Sequence, residues 1–407
     1  MKTIIFIGCN KSGSSREGVT SAMEMGYYTV LFTDRKYFLR ESEELSDIHL
    51  MIYMKDLFKK EEILKEIRKL TCKGNKIEAI ISFIDPFVSY AATLSNEVGI
   101  MSCSMSALSI IENKIKFRTV LKNLSSALFY SVYTGEESVE VFANQFVDHF
   151  PLVVKPPISN GSKDVIFVNS MGELKRLIKN RQNEENFLPV LVEEYIEGRQ
   201  FLVETIIYER TISIIAVIEQ EFLNKNHFII TGYRLPAELS NKLTEQLAII
   251  LSEIIKKIGL VNGSCHFELR LSHGEWKLIE INPRISGGAM NKMIHYATGI
   301  NLVKEILKVS LGERPTLEKT KNHFIYTHYL TVERRGHLLK IEGKDKACQH
   351  SGVREVLLKP RKGSILTPPK SMGDRYGYVI ASGHSSEEAK KNAIQASKEI
   401  KFYLEPF

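Results

Sequence analysis

Two glutamates are the strongest sign of chemistry in this 407-residue sequence. Glu268 lies in a segment, 265–270, where apolar and polar residues alternate, and Glu280 lies in a second such segment, 276–282. Alternation with a period of two predicts strands with one apolar and one polar face. The residues between the segments predict a turn. If Gly274 is at its centre, Glu268 lies opposite Glu280 and the two carboxylates face each other.

Like charges directly across a sheet destabilise it, so this pair predicts a bound cation. Mg²⁺ takes one or two carboxylates and completes its octahedron with water and substrate phosphates; Mn²⁺ is the alternative. Asn282 adds an amide oxygen on the same face, with His266 opposite it, and Arg284 adds a planar cation just beyond the strand end. A simpler interpretation, a solvated face whose carboxylates pair with nearby basic residues, accounts for any one of these residues but not for the ordered set.

The spacing from Glu268 to the segment Glu280-Ile281-Asn282-Pro283-Arg284 resembles the metal-binding signature of the ATP-grasp superfamily. The lead-in His266-x-Glu268-x-Arg270 and the exit Arg284-x-x-Gly287-Gly288 resemble the branch that holds the bacterial L-amino-acid ligases, which make dipeptides. The resemblance implies an α/β protein with an N-terminal Rossmann-like parallel α/β domain, central ATP-grasp lobes and a C-terminal α+β lobe. It also implies ATP and Mg²⁺, with Glu268, Glu280 and Asn282 as metal ligands and, together with Arg284, as catalytic residues.

Composition is that of an ordinary globular protein, with 43% hydrophobic and 25% charged residues. No apolar run approaches the length of a membrane span, and the start of the chain does not resemble a signal peptide, so we expect a cytoplasmic protein without membrane contact. The net charge of +7 is not concentrated in a basic arm, and nucleic-acid binding is not needed to explain it. Five scattered cysteines without a CxxC pair predict neither disulfides nor a zinc site.

Residues 1–111 alternate strands with helices, which predicts a parallel sheet in an N-terminal α/β domain. The loop GCNKSGSS, residues 8–15, matches neither common phosphate-binding motif, and we interpret it as a crossover turn near a substrate pocket. Asp85 precedes Pro86 at the start of a helix. It is either a helix cap or the receptor for a substrate amine.

Residues 112–315 are predicted to form the ATP-grasp domain, with a lid lobe at about 150–198. Lys114 begins a helix that resembles the entry to the ATP-grasp module, where the family's lysine reaches the nucleotide phosphates. Lys155 ends a strand and is followed by a small polar loop containing Gly161 and Ser162, whose backbone N–H groups suit phosphates.

The segment 188–198 is predicted to be the hinge that binds ATP. The exposed backbone of Glu193 and Ile196, around Tyr195, is expected to meet the adenine edge. Gln200 stands where many family members have an acid for the ribose hydroxyls, and an amide can still bond a hydroxyl.

Helices are predicted at 241–257, from its apolar stripe, and at 289–311. Gly287 and Gly288 leave room for a substrate beside Arg284, and His266 is expected either to orient that substrate or to act as a structural partner. Residues 316–407 form the predicted C-terminal lobe over the substrate pocket, ending in a helix over 385–404. Asp374 is either a turn residue or the receptor for a cationic side chain.

The predicted function is a dipeptide-forming L-amino-acid ligase, of the kind used in antibiotic biosynthesis, acting on two amino acids through an acyl phosphate. Alternatives with the same chemistry are a ligase that charges an amino acid onto a carrier protein, and an ATP-dependent carboxylase or purine-pathway ligase. A nucleotide-binding protein without catalysis would not require two acids, an amide and an arginine in order. Homodimers are common in the family, and we expect one here.

Overall fold

The structure, a computed structural model, describes residues 1–40, 45–100, 104–158, 165–183, 188–224 and 227–406. Within these ranges no helix is both long enough and apolar enough to cross a membrane. The cysteines at 9, 72, 265 and 348 are free thiols.

The N-terminal segment forms the predicted parallel sheet, with strand order β3-β2-β1-β4. Its strands are almost continuously apolar because helices cover both faces. The strands are β1 (Lys2–Ile7), β2 (Tyr28–Thr33), β3 (Leu50–Tyr53) and β4 (Lys76–Ile81), and the helices are α1 (Ser14–Glu24), α2 (Lys36–Arg40), α3 (Lys60–Cys72), α4 (Phe87–Glu97) and α5 (Met105–Ile111).

A small antiparallel sheet follows helix α6 (Lys114–Leu121). Its strands are β5 (Tyr130–Tyr133), β6 (Leu152–Lys155), β7 (Ile166–Val168) and β8 (Val190–Glu194), in the order β5-β8-β6-β7, with helices α7 (Val139–Asn144) and α8 (Met171–Gln182). The sheet therefore begins at Tyr130, earlier in the chain than the predicted lid.

An eight-stranded sheet contains most of the remaining strands, in the order β13-β12-β9-β10-β11-β14-β18-β16. Its strands are β9 (Arg199–Tyr208), β10 (Thr211–Asn224), β11 (His227–Leu235), β12 (Gly263–Ser272), β13 (Glu275–Asn282), β14 (Phe324–Leu330), β16 (Val353–Leu358) and β18 (Gly377–Gly383). Helix α9 (Asn241–Ile258) packs its predicted apolar stripe into the core. Because β11 pairs with β14, the predicted domain boundary at 315–316 falls inside one continuous sheet.

Two helix predictions are wrong in their extent. The segment 289–311 contains two helices, α10 (Met290–Thr298) and α11 (Leu302–Ser310), because Gly299 has a left-handed φ of 83° and Asn301 caps the next helix. The last helix, α13 (Ser386–Ser397), ends early, and residues Lys401–Glu405 form strand β19.

Strand β19 belongs to a fourth, three-stranded sheet with β15 (Gly336–Glu342) and β17 (Ile365–Leu366), next to helix α12 (Lys344–Gln349). Alternation of exposed and half-buried residues in β19 is the period-two pattern that the predicted helix overlooked.

The register of the β12–β13 hairpin confirms the central prediction, since Glu268 pairs with Glu280 and His266 with Asn282. The turn itself is shorter than predicted. Only His273 (φ 49°) and Gly274 (φ 82°) form it, both left-handed, as in a type I′ hairpin. A bulge then adds Ile279 to β13. Without it, Glu280 would lie on the opposite, apolar face, because a one-residue shift exchanges the two faces of a strand.

Candidate active site

A cleft with about 840 Å³ of empty space, open to solvent, is lined by both the small and the large sheet. It brings together seven of the residues predicted for ATP or metal, namely Lys155, Glu193, Tyr195, Ile196, Gln200, Glu268 and Glu280.

The two glutamates of the hairpin lie side by side at one end of this cleft. Burial and the neighbouring charge of Glu280 raise the pKa of Glu268 above its ordinary value. Lys114 lies close by, with its Nζ 3.4 Å from Glu280 Oε1. Helix α6 holds this lysine at its first turn, where the Asn113 side chain caps the helix. The pair is therefore poised for a cation, with an ammonium beside it.

The next row of the hairpin orients an amide oxygen. His266 Nε2 lies 3.0 Å from Asn282 Nδ2, and His266 Nδ1 lies 2.9 Å from the Arg284 carbonyl oxygen. An amide nitrogen only donates, so Nε2 accepts and Nδ1 carries the proton that is donated to Arg284. Burial, followed by the Arg284 charge, lowers the pKa of His266 to about 4, which keeps the ring neutral. This geometry supports the structural alternative for His266: it fixes Asn282 so that the amide oxygen is the atom available as a ligand.

These residues fit the magnesium ion that the sequence predicts. Glu268, Glu280 and Asn282 would supply only hard oxygen donors, and the two carboxylates share one face of the hairpin, which agrees with the one or two carboxylates that Mg²⁺ takes in proteins. No group of three or more His, Cys, Asp or Glu side chains suited to a metal occurs in the described ranges. A site with two carboxylates relies instead on water and substrate phosphates for its remaining ligands.

A buried ion triad joins the two sheets at the cleft. Glu193, only 2% exposed, accepts from Arg118 Nε and Lys155 Nζ, both at 2.6 Å. Desolvation opposes ionisation, but the two cations lower the pKa of Glu193 to about 2. Arg118 also donates to the carbonyls of Leu278 and Ile279, at 2.6 and 2.8 Å. One arginine thus ties the small sheet to the bulge that sets the position of Glu280.

The backbone of Glu193 does not have the exposure that we predicted. It lies in the central strand β8, with strands paired on both sides, and its side chain is the part that faces the cleft. Contact of this residue with ATP stays a prediction.

Arg270 holds the hinge in place. It donates to the Ile196 carbonyl at 2.5 Å and to Gln200 Oε1 at 2.9 Å, and its guanidinium lies 4.7 Å from the centroid of the Tyr195 ring. Gln200 in turn places its Nε2 3.4 Å from Glu268. The Gln200 amide therefore connects the segment 188–198 to Glu268. Its contact with ribose stays a prediction.

Arg284 is paired with Asp85. Its Nε donates to Asp85 Oδ2 at 2.9 Å, its Nη2 makes a second, shorter contact with the same oxygen, and its Nη1 donates to the Ile285 carbonyl at 3.0 Å. The ion pair joins the N-terminal domain to the end of the hairpin. Two residues predicted separately for substrate thus form one charged pair, whose role stays a prediction.

The paired glycines face the N-terminal loop. A Cβ on Gly288 would come 3.2 Å from the Tyr329 hydroxyl, and a Cβ on Gly13 would come 2.9 Å from the Gly288 carbonyl oxygen. Gly287, in contrast, has open space around it. Ser14 Oγ donates to the Ser286 carbonyl at 2.8 Å. The loop at 8–15 therefore packs against Ser286 and Gly288, and its predicted position near a substrate pocket stays a prediction.

Three further predicted residues are Asp374, Gly161 and Ser162. Oδ2 of Asp374 accepts from the backbone N–H groups of Lys370 and Ser371, at 2.9 and 2.8 Å, within a capping box. These bonds support the turn interpretation, and a role for Asp374 as the receptor for a cationic side chain stays a prediction. The phosphate-loop residues Gly161 and Ser162 lie outside the described ranges.

The sequence reasoning assigned no site role to three residues that organise the site, although Arg270 is part of the motif that it identified. Arg118 follows Lys114 by one helical turn, and Arg270 follows Glu268 at the strand period, so periodicity placed both on the functional faces. Glu204 carried no such signal. It is fully buried opposite His266, with Oε1 accepting from the Ser286 N–H at 3.0 Å and Oε2 without a hydrogen-bond partner among the described residues.

Glu204 predicts a pH-dependent stability. Burial raises the pKa of Glu204 to about 7, above the ordinary value of 4.5, so its contribution is fully present below 4.5 and is lost as pH rises through 7. We expect wild type to lose up to about 3 kcal/mol of unfolding free energy across this window relative to Glu204→Gln. Urea unfolding at about pH 4 and pH 8 measures the difference. The exposed Glu209→Gln should behave as wild type, and equal pH profiles for wild type and Glu204→Gln would contradict this assignment.

Comparison with known proteins matches two parts of the chain to families. Residues 148–292 match the family model described as ATP-grasp domain, and residues 328–405 match the L-amino acid ligase C-terminal domain 2. Among curated sequences, the protein called "Uncharacterized protein y4rH" from Sinorhizobium fredii is 27% identical over 261 residues, which are 63% of this chain and 54% of that one. The chain spans about half or less of the length of the first curated relatives that it matches.

Solved structures share the whole fold. The L-amino acid ligase from Bacillus licheniformis superimposes with a TM-score of 0.83 at 19% identity, covering 100% of this chain and 99% of that one. N5-carboxyaminoimidazole ribonucleotide synthetase from Thermotoga maritima gives a TM-score of 0.74 at 19% identity, with both chains covered in full. These likenesses confirm the predicted α/β architecture of the ATP-grasp type.

Proposed function

We propose that this ATP-grasp protein is an ATP-dependent carboxylate–amine ligase that joins two L-amino acids into a dipeptide and releases ADP and phosphate. The observation that carries the proposal is the polar face of the hairpin. From the cleft outward it presents Glu268 with Glu280, then Asn282 held by His266, then Arg284 paired with Asp85. Phosphate chemistry at one end and carboxylate recognition at the other are what such a ligase needs.

The reaction has two displacements. An oxygen of the donor carboxylate attacks the γ-phosphorus of ATP while the bond to the β-phosphate oxygen breaks, giving an acyl phosphate and ADP. The acceptor amine then attacks the acyl carbon, the carbon–oxygen bond to phosphate breaks, and the amine proton is lost as the amide forms. Neither step requires a nucleophilic side chain.

Residues of this chain supply the electrostatics. Lys114 and Lys155 would bind the phosphates, and Glu268, Glu280 and Asn282 would hold a Mg²⁺ ion that neutralises charge on the terminal phosphates. Arg284 would stabilise the transferring phosphoryl group and the tetrahedral adduct. Asp85 and Arg284 together offer an anion and a cation, the complement of an amino-acid zwitterion.

The test is ATP-dependent phosphate release with mass detection of products, using the twenty L-amino acids singly and in pairs with Mg²⁺. Phosphate release that depends on amino acids, with a dipeptide mass and ADP, is the expected result and identifies the substrates. If no pair of amino acids gives phosphate release and a dipeptide, dipeptide formation is contradicted. The next substrates to test would then be carrier proteins or other carboxylates, as in a carboxylase or a purine-pathway ligase.

A further inference from the structure

Arg375, on the turn before β18, is a half-buried cation without an acidic partner. No carboxylate lies within ion-pair distance of it in the described part of the chain. The groups that it hydrogen-bonds are neutral: the carbonyls of Met372, at 3.1 Å, and Ile230, at 3.4 Å, and the Tyr233 hydroxyl. Its guanidinium stacks over the Tyr329 ring, with Cζ 3.9 Å from the centroid. These contacts fix the plane of the guanidinium but leave its charge uncompensated.

Arg375 has a second cation, Lys359, as a neighbour. Lys359 donates from Nζ to the Arg375 carbonyl at 3.2 Å. Partial burial of this ammonium, together with the nearby Arg375 charge, lowers the pKa of Lys359 to about 8. Two cations that repel each other are stabilised by a bound anion.

Arg375 lies between the nucleotide cleft and the substrate-side glycines. Ile230 and Met372, whose carbonyls it binds, line the cleft. Tyr329, on which it stacks, places its hydroxyl next to Gly288. Burial raises the pKa of the nearby Tyr233. The charge of Arg375 opposes this rise and the charge of Glu268 adds to it, so both groups lie near the Tyr233 hydroxyl. An anion bound to Arg375 would thus be close to Glu268 and Glu280 and to the paired glycines Gly287 and Gly288.

We propose that Arg375 binds the carboxylate of the acceptor amino acid, the substrate whose amine attacks the acyl phosphate. This inference rests on the proposed function. Ligation uses two amino acids, but the donor carboxylate is consumed as an acyl phosphate, so only the acceptor keeps a free carboxylate throughout. Arg284 already has Asp85 as its partner, whereas Arg375 has none among the described residues. A guanidinium held flat on an aromatic ring suits bidentate binding of a carboxylate.

Hydroxylamine separates the two substrates experimentally. It attacks an acyl phosphate to give a hydroxamate, yet it carries no carboxylate, so hydroxamate formation reports donor activation alone. For the pair of amino acids identified by the product assay, Arg375→Gln is expected to raise KM for the acceptor roughly 10- to 100-fold. Hydroxamate formation from the donor and KM for ATP should stay at wild-type values.

Matched variants and analogues sharpen the test. Wild type should prefer the acceptor acid over its amide, and Arg375→Gln should lose this preference. Arg375→Lys, which keeps the charge but not the fork, should restore part of it, while the exposed Arg334→Gln should behave as wild type. An unchanged acceptor KM, or an equal loss of hydroxamate and dipeptide with a raised KM for ATP, would overturn the assignment. Absence of both products in wild type would instead count against the proposed function itself.

Discussion

Replacing Glu280 by glutamine is expected to lower amino-acid-dependent ATP hydrolysis at least about 100-fold, because loss of outer-shell partners alone typically costs 10- to 100-fold and Glu280 is predicted to bind the metal directly. Its carboxylate lies opposite Glu268 and beside Lys114. Glutamine has nearly the same shape, so the cleft should be preserved. Steady-state phosphate release at saturating Mg²⁺ measures the effect.

The matched control for this prediction is Glu275→Gln, on the same strand. Glu275 is exposed and pairs only with Lys277, at 3.1 Å, among the described residues. We expect it to keep wild-type turnover. In chelator, Glu280→Gln should melt close to wild type, because the substitution removes both the like-charge contact with Glu268 and the ion pair with Lys114, and the two effects oppose each other. The stabilisation of wild type by Mg²⁺ with ADP should be absent in the variant. Wild-type turnover in Glu280→Gln would contradict the metal assignment.

Replacing Glu193 by glutamine is expected to destabilise the protein by about 3–5 kcal/mol, because removal of one partner from a buried ion pair leaves uncompensated charge. Here the substitution would strand Arg118 and Lys155, which are 3% and 4% exposed. The loss should appear as a lower denaturant midpoint and as faster amide exchange in β6 and β8. ATP binding should weaken as well, since Lys155 would no longer be held at the cleft.

Glu194→Gln is the control, one residue along the same strand. Its side chain accepts from the Phe129 N–H at 2.8 Å near the surface, and we expect a change within about 1 kcal/mol. Equal denaturant midpoints for the Glu193 and Glu194 variants would show that the ion triad does not stabilise the small sheet. Since the two cations keep the pKa of Glu193 at about 2 despite its burial, its stabilising contribution should persist down to mildly acidic pH. That contribution is lost only as pH falls from 4.5 towards 2.

The bulge at Ile279 explains how these two predictions are linked. Arg118 binds the carbonyls of Leu278 and Ile279 with the same guanidinium that binds Glu193. Arg118 therefore holds both the ion triad and the part of β13 that carries Glu280. Substitution of Glu193 should therefore alter the position of Glu280, whereas substitution of Glu280 should leave the ion triad intact.

Local patterns in the sequence were sufficient for the elements and for the face on which the chemistry lies. Helix α9 differs from its predicted bounds, 241–257, by one residue, since apolar periodicity and Gly259 define it without help from the rest of the chain. The pairing of Glu268 with Glu280 was also predicted. Residue type and spacing express these features directly.

Tertiary structure decided which partner each charged group has. Asp85 and Arg284 are 199 residues apart and form one ion pair, and Glu193 meets Arg118 across 75 residues. At the C-terminal turn the sequence pointed to Asp374, but the backbone takes up that carboxylate and leaves its neighbour Arg375 as the charge without an acidic partner among the described residues. Periodicity fixes the face of an element, but the partner of a buried charge depends on how distant elements pack, because an ion pair forms across space rather than along the chain.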